Sequence, residues 1–228
     1  MKKPVKGKRN GTPNHAPRAG KTKAGAVGSV VGLIVAAMVA AVGLGGLIWW
    51  ETGPARPQGG AVASSAGGIG GRFQMIDQDG RSVDQHVLDG HWTAVFFGYT
   101  YCPDVCPATL QALAQAAKRL GPKAKNLQVV FVSIDPDRDH PKEMKAYIDA
   151  QAIPVKTVGL TGTPAQVATI AKVYKVYYAK VGTGAEYSMD HTAVIYLMDP
   201  TGRFASPLTH GMAPDRIAAE ISQAQAAS

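Results

Sequence analysis

The chain has two cysteines, Cys102 and Cys106, both within the run Tyr99-Thr100-Tyr101-Cys102-Pro103-Asp104-Val105-Cys106-Pro107. A thiol acts as nucleophile or metal ligand in its thiolate form, so the surroundings of each sulfur decide its chemistry. Two thiols one loop apart can close as a structural disulfide, cycle as a redox dithiol, or hold a soft metal. A bridge enclosing three residues restrains the unfolded chain little, because the entropic gain grows with loop length. That favours redox cycling or metal binding, and the choice between them turns on a third ligand. Cu(I) takes thiolates at low coordination number, and a neutral imidazole completes such a site.

Among the six histidines, His86, His91, His140 and His210 lie in polar, loop-like stretches and read as surface residues. His15 belongs to a basic amino-terminal segment remote from the cysteines. His191 differs. It stands in Tyr187-Ser188-Met189-Asp190-His191-Thr192 at the entry to a late apolar strand, from which a loop can return it to the thiols. Taken alone, a histidine at a strand end more often serves structure. From the residues by themselves the dithiol stays open between redox and metal chemistry.

A strand-to-helix junction must position the thiols. Thr93 to Gly98 and Leu127 to Ile134 are apolar runs that read as buried central strands. Reactive groups collect at the carboxyl ends of such strands. A residue before proline is pushed out of the α region. The spacing therefore predicts extended backbone at Cys102 and Cys106, a loop carrying both thiols, and a helix from Pro107 to Leu120. Cys106 is then the expected N-cap, where free N–H groups and the helix dipole favour the thiolate.

The remaining elements follow from turn and helix signals. Asp79-Gly80 lies between extended runs at Phe73 to Ile76 and Arg81 to Val83 and marks a hairpin. Helices are expected from Pro141, from Pro164, and over Pro214 to Ala224, each with one apolar stripe. Thr192 to Met198 reads as a strand, followed by the turn Asp199-Pro200-Thr201-Gly202 and a return strand around Phe204. The order is a hairpin followed by β-α-β-α-β-α-β-β-α. This is the order of an α/β, thioredoxin-like fold, a central mixed sheet flanked by helices, with an extra N-terminal β-hairpin.

Charge explains the part of the chain that precedes this domain. The net charge is +8, yet residues 1–23 hold eight Lys or Arg and no acid. Taking those eight from the 24 basic residues leaves 16, against 16 acidic ones, so the remainder is formally neutral and a nucleic-acid partner is not expected. Residues 24–50 carry no charge and end in Trp49-Trp50, long enough for one transmembrane helix preceding the domain. The basic tail is then expected in the cytoplasm and the rest outside it, as a single-pass protein of a bacterial inner membrane with its domain in the periplasm. Residues 51–71, rich in glycine, read as a flexible linker, and 72–228 as the folded domain.

Three stretches in order carry a family resemblance. The run Phe97-Gly98-Tyr99-Thr100-Tyr101-Cys102-Pro103-Asp104-Val105-Cys106-Pro107, the run Ser133-Ile134-Asp135-Pro136-Asp137-Arg138-Asp139, and Asp190-His191 with Tyr196-Leu197-Met198-Asp199-Pro200 closely resemble the Sco/SenC proteins. The resemblance implies a membrane-tethered, thioredoxin-like copper protein that helps assemble the binuclear copper A centre of cytochrome c oxidase. Carried over by position, it implies copper, Cu(I) or Cu(II), on Cys102, Cys106 and His191. The implied partners are the copper-bearing oxidase subunit, a copper donor and a thioredoxin-like reductant. Asp135 and Asp139 match acidic positions of the family but are expected to serve loop structure. The alternatives are a thiol-disulfide reductase acting on the oxidase subunit's cysteines, a general thioredoxin-like oxidoreductase with Cys102 and Cys106 as its catalytic dithiol, and a peroxidase-like scavenger. Against the general oxidoreductase, Glu186 to His191 lacks the proline that thioredoxin-type enzymes carry there.

Overall fold

The computed structural model describes residues 68–228. The basic tail, the apolar run 24–50 and most of the glycine-rich linker lie outside the described residues. Among the described residues no helix is long and apolar enough to cross a membrane.

A seven-stranded mixed sheet forms the centre. Its strands are β1 (Gln74–Asp77), β2 (Ser82–Asp84), β3 (Trp92–Gly98), β4 (Leu127–Ser133), β5 (Lys156–Thr161), β8 (Val194–Met198) and β9 (Phe204–Thr209), in the spatial order β2-β1-β5-β4-β3-β8-β9. β3, β4 and β5 run parallel, while β8, β9 and the β1–β2 hairpin join antiparallel. At the hairpin turn Gly80 takes a φ of 79°, which glycine adopts without a Cβ clash, and Asp77 Oδ1 accepts from the Asp79 and Arg81 amides. Every residue of β3 and β4 is buried, because both faces of the sheet are covered.

The period-two alternation of β3 divides the core. Ala94 and Phe96 face one layer with helices α1 (Val105–Leu120), α2 (Pro141–Ala150) and α4 (Pro214–Ala226). Val95 and Phe97 face the other, with α3 (Pro164–Tyr174) and residues of the hairpin. Each helix contributes its expected stripe: Leu110, Leu113 and Ala117 from α1, Met144 and Ile148 from α2, Ile217 and Ile221 from α4. The start of α3 is fixed by a reciprocal cap in which Thr163 and Gln166 satisfy each other's free amides.

Two departures from expectation bear on the site. The strand expected from Thr192 starts at Val194, and His191 belongs to a different strand, β7 (Ser188–His191). β7 pairs with β6 (Tyr178–Val181) in a separate two-stranded sheet, a hairpin absent from the predicted order. The second departure is the start of α1. It begins at Val105, two residues before the expected start, so Cys106 is the second helical residue and not an extended N-cap. Val105, Cys106 and Pro107 occupy the first turn, where amides have no intrahelical partner. Proline in that turn therefore costs no hydrogen bond, and the packing of Cys106 overrides the preference of a pre-proline residue for extended backbone.

Candidate metal centre at the carboxyl end of the central strand

Gly98 closes β3, and the chain turns at once, with the Cys102 amide donating to the Tyr99 carbonyl at 3.2 Å. The turn is anchored across the sheet. Asp139, fully buried after β4, accepts from the Thr100 amide at 3.0 Å, from the Thr100 hydroxyl, and from the Ser133 hydroxyl at 2.6 Å. Burial pushes the Asp139 carboxyl up, and these donors oppose the shift. The expectation of a loop-structural role for Asp139 agrees with this geometry.

Asp104 is the N-cap of α1, yet its side chain makes no cap hydrogen bond. The Cys102 sulfur takes that place, accepting from the Cys106 amide at 3.3 Å. The electrostatic roles expected of the two thiols are therefore exchanged. Cys102 is the acidic one, held at about 5 by a hydrogen bond from the Cys106 thiol, then by the amides of Cys106 and Asp104 and by the nearby His191, against the opposing effect of burial. Cys106 is fully buried, and its thiol is pushed up, first because it donates to Cys102 and then by desolvation. Both cysteines are free thiols.

The space Cys106 occupies depends on glycine. A Cβ at Gly98 would stand 2.6 Å from the Cys106 sulfur and 2.8 Å from Phe131 Cε2. The close approach of the sulfur to the end of β3 thus needs a residue with no side chain.

His191 reaches the thiols from the other hairpin. Its Nε2 lies 3.8 Å from Cys106 Sγ, and its Nδ1 lies 3.1 Å from the Thr192 carbonyl. A carbonyl only accepts, so Nδ1 carries a proton in that contact, and in the neutral ring Nε2 turns its lone pair toward Cys106. The ring sits edge-on to Tyr99 and Phe96, with centroids 6.2 and 6.3 Å away. Two ligands of one soft metal, with bonds of about 2.3 Å to sulfur and 2.0–2.1 Å to nitrogen at about 110–120°, stand about 3.5–3.8 Å apart. The Cys106–His191 separation has that size. Among the described residues, no group of three His, Cys, Asp or Glu side chains stands close enough together to hold a metal ion. Asp190 is exposed and alternates away from His191 along β7.

The other histidines among the described residues lie elsewhere. His86 pairs with Asp89 at 2.7 Å, and His140 is the N-cap of α2. His91 bonds the Asp89 carbonyl, and His210 bonds the Thr109 hydroxyl at 2.9 Å.

The sequence reading gave no role to Arg138 or Tyr187, which the structure places beside the site. The Tyr187 phenol donates to Asp135 Oδ1 at 2.6 Å, and the Arg138 guanidinium lies 3.6 Å from the Tyr187 ring centre. Burial and Asp135 push the Tyr187 phenol up to about 12, so it stays protonated and donating. Arg138 also donates to Asp135 Oδ2 at 2.6 Å and to the Tyr187 carbonyl at 3.0 Å. Arg138 falls inside the second motif stretch and Tyr187 just ahead of the third, and the signal that singles them out is aromatic-cation stacking across sequence-distant loops.

Comparison with known proteins agrees with this architecture. The SCO1/SenC family model matches residues 62–226. The mitochondrial SCO1 homolog 1 of Arabidopsis thaliana is 39% identical over 138 residues, a match covering 60% of this chain and 41% of that protein. The chain therefore matches less than half the length of that relative. The structure of Bradyrhizobium japonicum ScoI with copper bound is 43% identical with a TM-score of 0.62, covering 68% of this chain and 98% of that one. Arabidopsis thaliana ScoI with copper bound is 34% identical with a TM-score of 0.67, covering 70% and 99%. With the thioredoxin-like mixed sheet, the cysteine loop at its carboxyl edge and a family match over most of its length, the chain belongs to the SCO1/SenC family.

Proposed function

We propose that this protein binds copper through Cys102, Cys106 and His191 and passes it to the copper-bearing subunit of cytochrome c oxidase during assembly of the copper A centre. The observation that carries the reading is the approach of His191 Nε2 to within 3.8 Å of Cys106 Sγ, across 85 residues of sequence, beside a free dithiol. Two sulfurs and one imidazole nitrogen form a soft, low-coordinate donor set suited to Cu(I). Cys102, half-buried and thiolate above about pH 5, supplies one ligand without further proton loss, while Cys106 gives up its proton on metal binding. Similar proteins solved with copper bound support the choice of metal. In this reading residues 24–50 anchor the chain in a bacterial inner membrane with residues 1–23 in the cytoplasm. Residues 51–71 tether the periplasmic domain 72–228 to that anchor.

A second reading is favoured by the asymmetry of the thiols. The acidic, half-buried Cys102 can attack a disulfide of the oxidase subunit, forming a mixed disulfide and expelling one client thiolate. Cys106, after losing its proton, then attacks the Cys102 sulfur and expels the second. The client gains two electrons and this chain ends as the Cys102–Cys106 disulfide, to be reopened by a thioredoxin-like reductant.

The test is His191→Ala, with Cu(I) and Cu(II) binding measured alongside the dithiol reduction potential. The metallochaperone reading expects copper affinity to fall. Unchanged copper affinity overturns the three-ligand site. If deletion of the gene abolishes oxidase activity and added copper restores it, delivery is favoured. Restoration by added reductant alone favours the reductase.

A further inference from the structure

Resting on the Cys-Cys-His reading, we infer that Tyr187, Arg138 and Asp135 form a clasp that sets the position of His191, making Tyr187 a positioning residue for the imidazole ligand.

His191 ends β7, which pairs with β6 alone and joins none of the seven strands of the main sheet. The hairpin must therefore be held by other means. At its root the Thr192 amide donates to the Tyr177 carbonyl at 3.0 Å, and the Tyr177 amide donates to the Thr192 hydroxyl at 3.1 Å. Those bonds fix where the hairpin leaves the domain but not its swing. The far end of β7 is held by Tyr187, immediately before the strand, whose phenol reaches Asp135 in the loop after β4. Arg138 closes the arrangement from the same loop, bonding Asp135 and the Tyr187 carbonyl while stacking on the Tyr187 ring. Lys180 of β6 puts its ammonium 3.6 Å from the same ring centre, so both strands of the hairpin converge on it. Tyr187 is only 8% exposed, and its bond to Asp135 is buried.

With root and far end both fixed, Nε2 is aimed at Cys106. Without the Tyr187 phenol the hairpin keeps its root, and the cysteine loop keeps its bonds to Asp139 and Tyr99 and the Arg138 guanidinium 4.6 Å from the Tyr101 ring centre, none of which Tyr187 supplies. A residue acting through His191 should affect copper only while His191 is present.

A double-mutant cycle on the full-length chain, read as Cu(I) affinity by competition with a chromogenic chelator, tests this. Tyr187→Ala is expected to weaken binding about tenfold, and Tyr187→Phe, which keeps the ring and loses only the hydroxyl, about threefold. In a His191→Ala background neither should weaken it further. In the Cu(II)-loaded protein, Tyr187→Phe should diminish the nitrogen hyperfine signal. Three results overturn the proposal. One is wild-type affinity in both Tyr187 variants, and another is an equal loss with and without His191, which marks general structural damage. The third is unchanged affinity in His191→Ala alone, which removes the ligand set and the clasp's purpose with it.

Discussion

The cysteine loop and the histidine hairpin meet at one site but are built differently. The loop grows out of β3, whose seven residues are all buried, and it is fixed by backbone amides, by the fully buried Asp139 and by the packing of a sulfur against glycine. The hairpin lies outside the main sheet, has partly exposed strands, and is tied down mainly by side chains such as Tyr187 and Arg138. The thiolate half is therefore set by the fold itself. The imidazole half is set by a few contacts that can be lost without unfolding the domain, which suits the proposed hand-over of metal, in which that ligand lets go.

The largest expected effect lies in the loop. Cys106→Ser should weaken copper binding beyond the 10–100-fold typical of losing a group outside the ligands, measured by the same chelator competition. Gly98→Ala should come next. Its Cβ meets the Cys106 sulfur and the Phe131 ring below contact distance, an overpacking that costs about 1–3 kcal/mol in urea unfolding and displaces that sulfur.

A pH profile sharpens the contrast between the two thiols. The Cys102 sulfur takes up a proton as pH falls through about 5, so its alkylation rate should drop below that pH and stay level from pH 6 to 8. An unperturbed thiol still gains reactivity up to about 8.5. Because the Cys106 thiol is the main cause of the depression, Cys106→Ala should move the Cys102 midpoint upward. The smallest effect belongs outside both regions. Thr163→Ala should cost about 0.5–2 kcal/mol of stability through loss of the α3 cap and leave copper affinity unchanged.

The same contrast explains what the sequence revealed. The loop was legible because its signals are local: two cysteines with prolines after an apolar strand. The Asp79-Gly80 hairpin was legible for the same reason. The error at α1 came from letting the pre-proline preference set the backbone of Cys106, when in the first turn of the helix Pro107's missing amide has nothing to bond and packing decides. The exchange of thiol acidity followed from that error, since only with Cys106 inside the helix does the Cys102 sulfur meet its amide. The β6–β7 hairpin was not legible. Tyr178–Val181 and Ser188–His191 are four-residue strands with little apolar alternation, joined across Gly182 and Gly184 without a two-residue turn signature. His191 was found by motif resemblance, and its supporting residues came to light through three-dimensional contacts across distant loops.

The central claim is that both halves bind one metal. X-ray absorption of the full-length chain loaded with one equivalent of Cu(I) tests it most directly. The account predicts two sulfur neighbours and one imidazole nitrogen, with the nitrogen lost in His191→Ala. A spectrum with two sulfurs and no nitrogen, or one unchanged by that substitution, would contradict it.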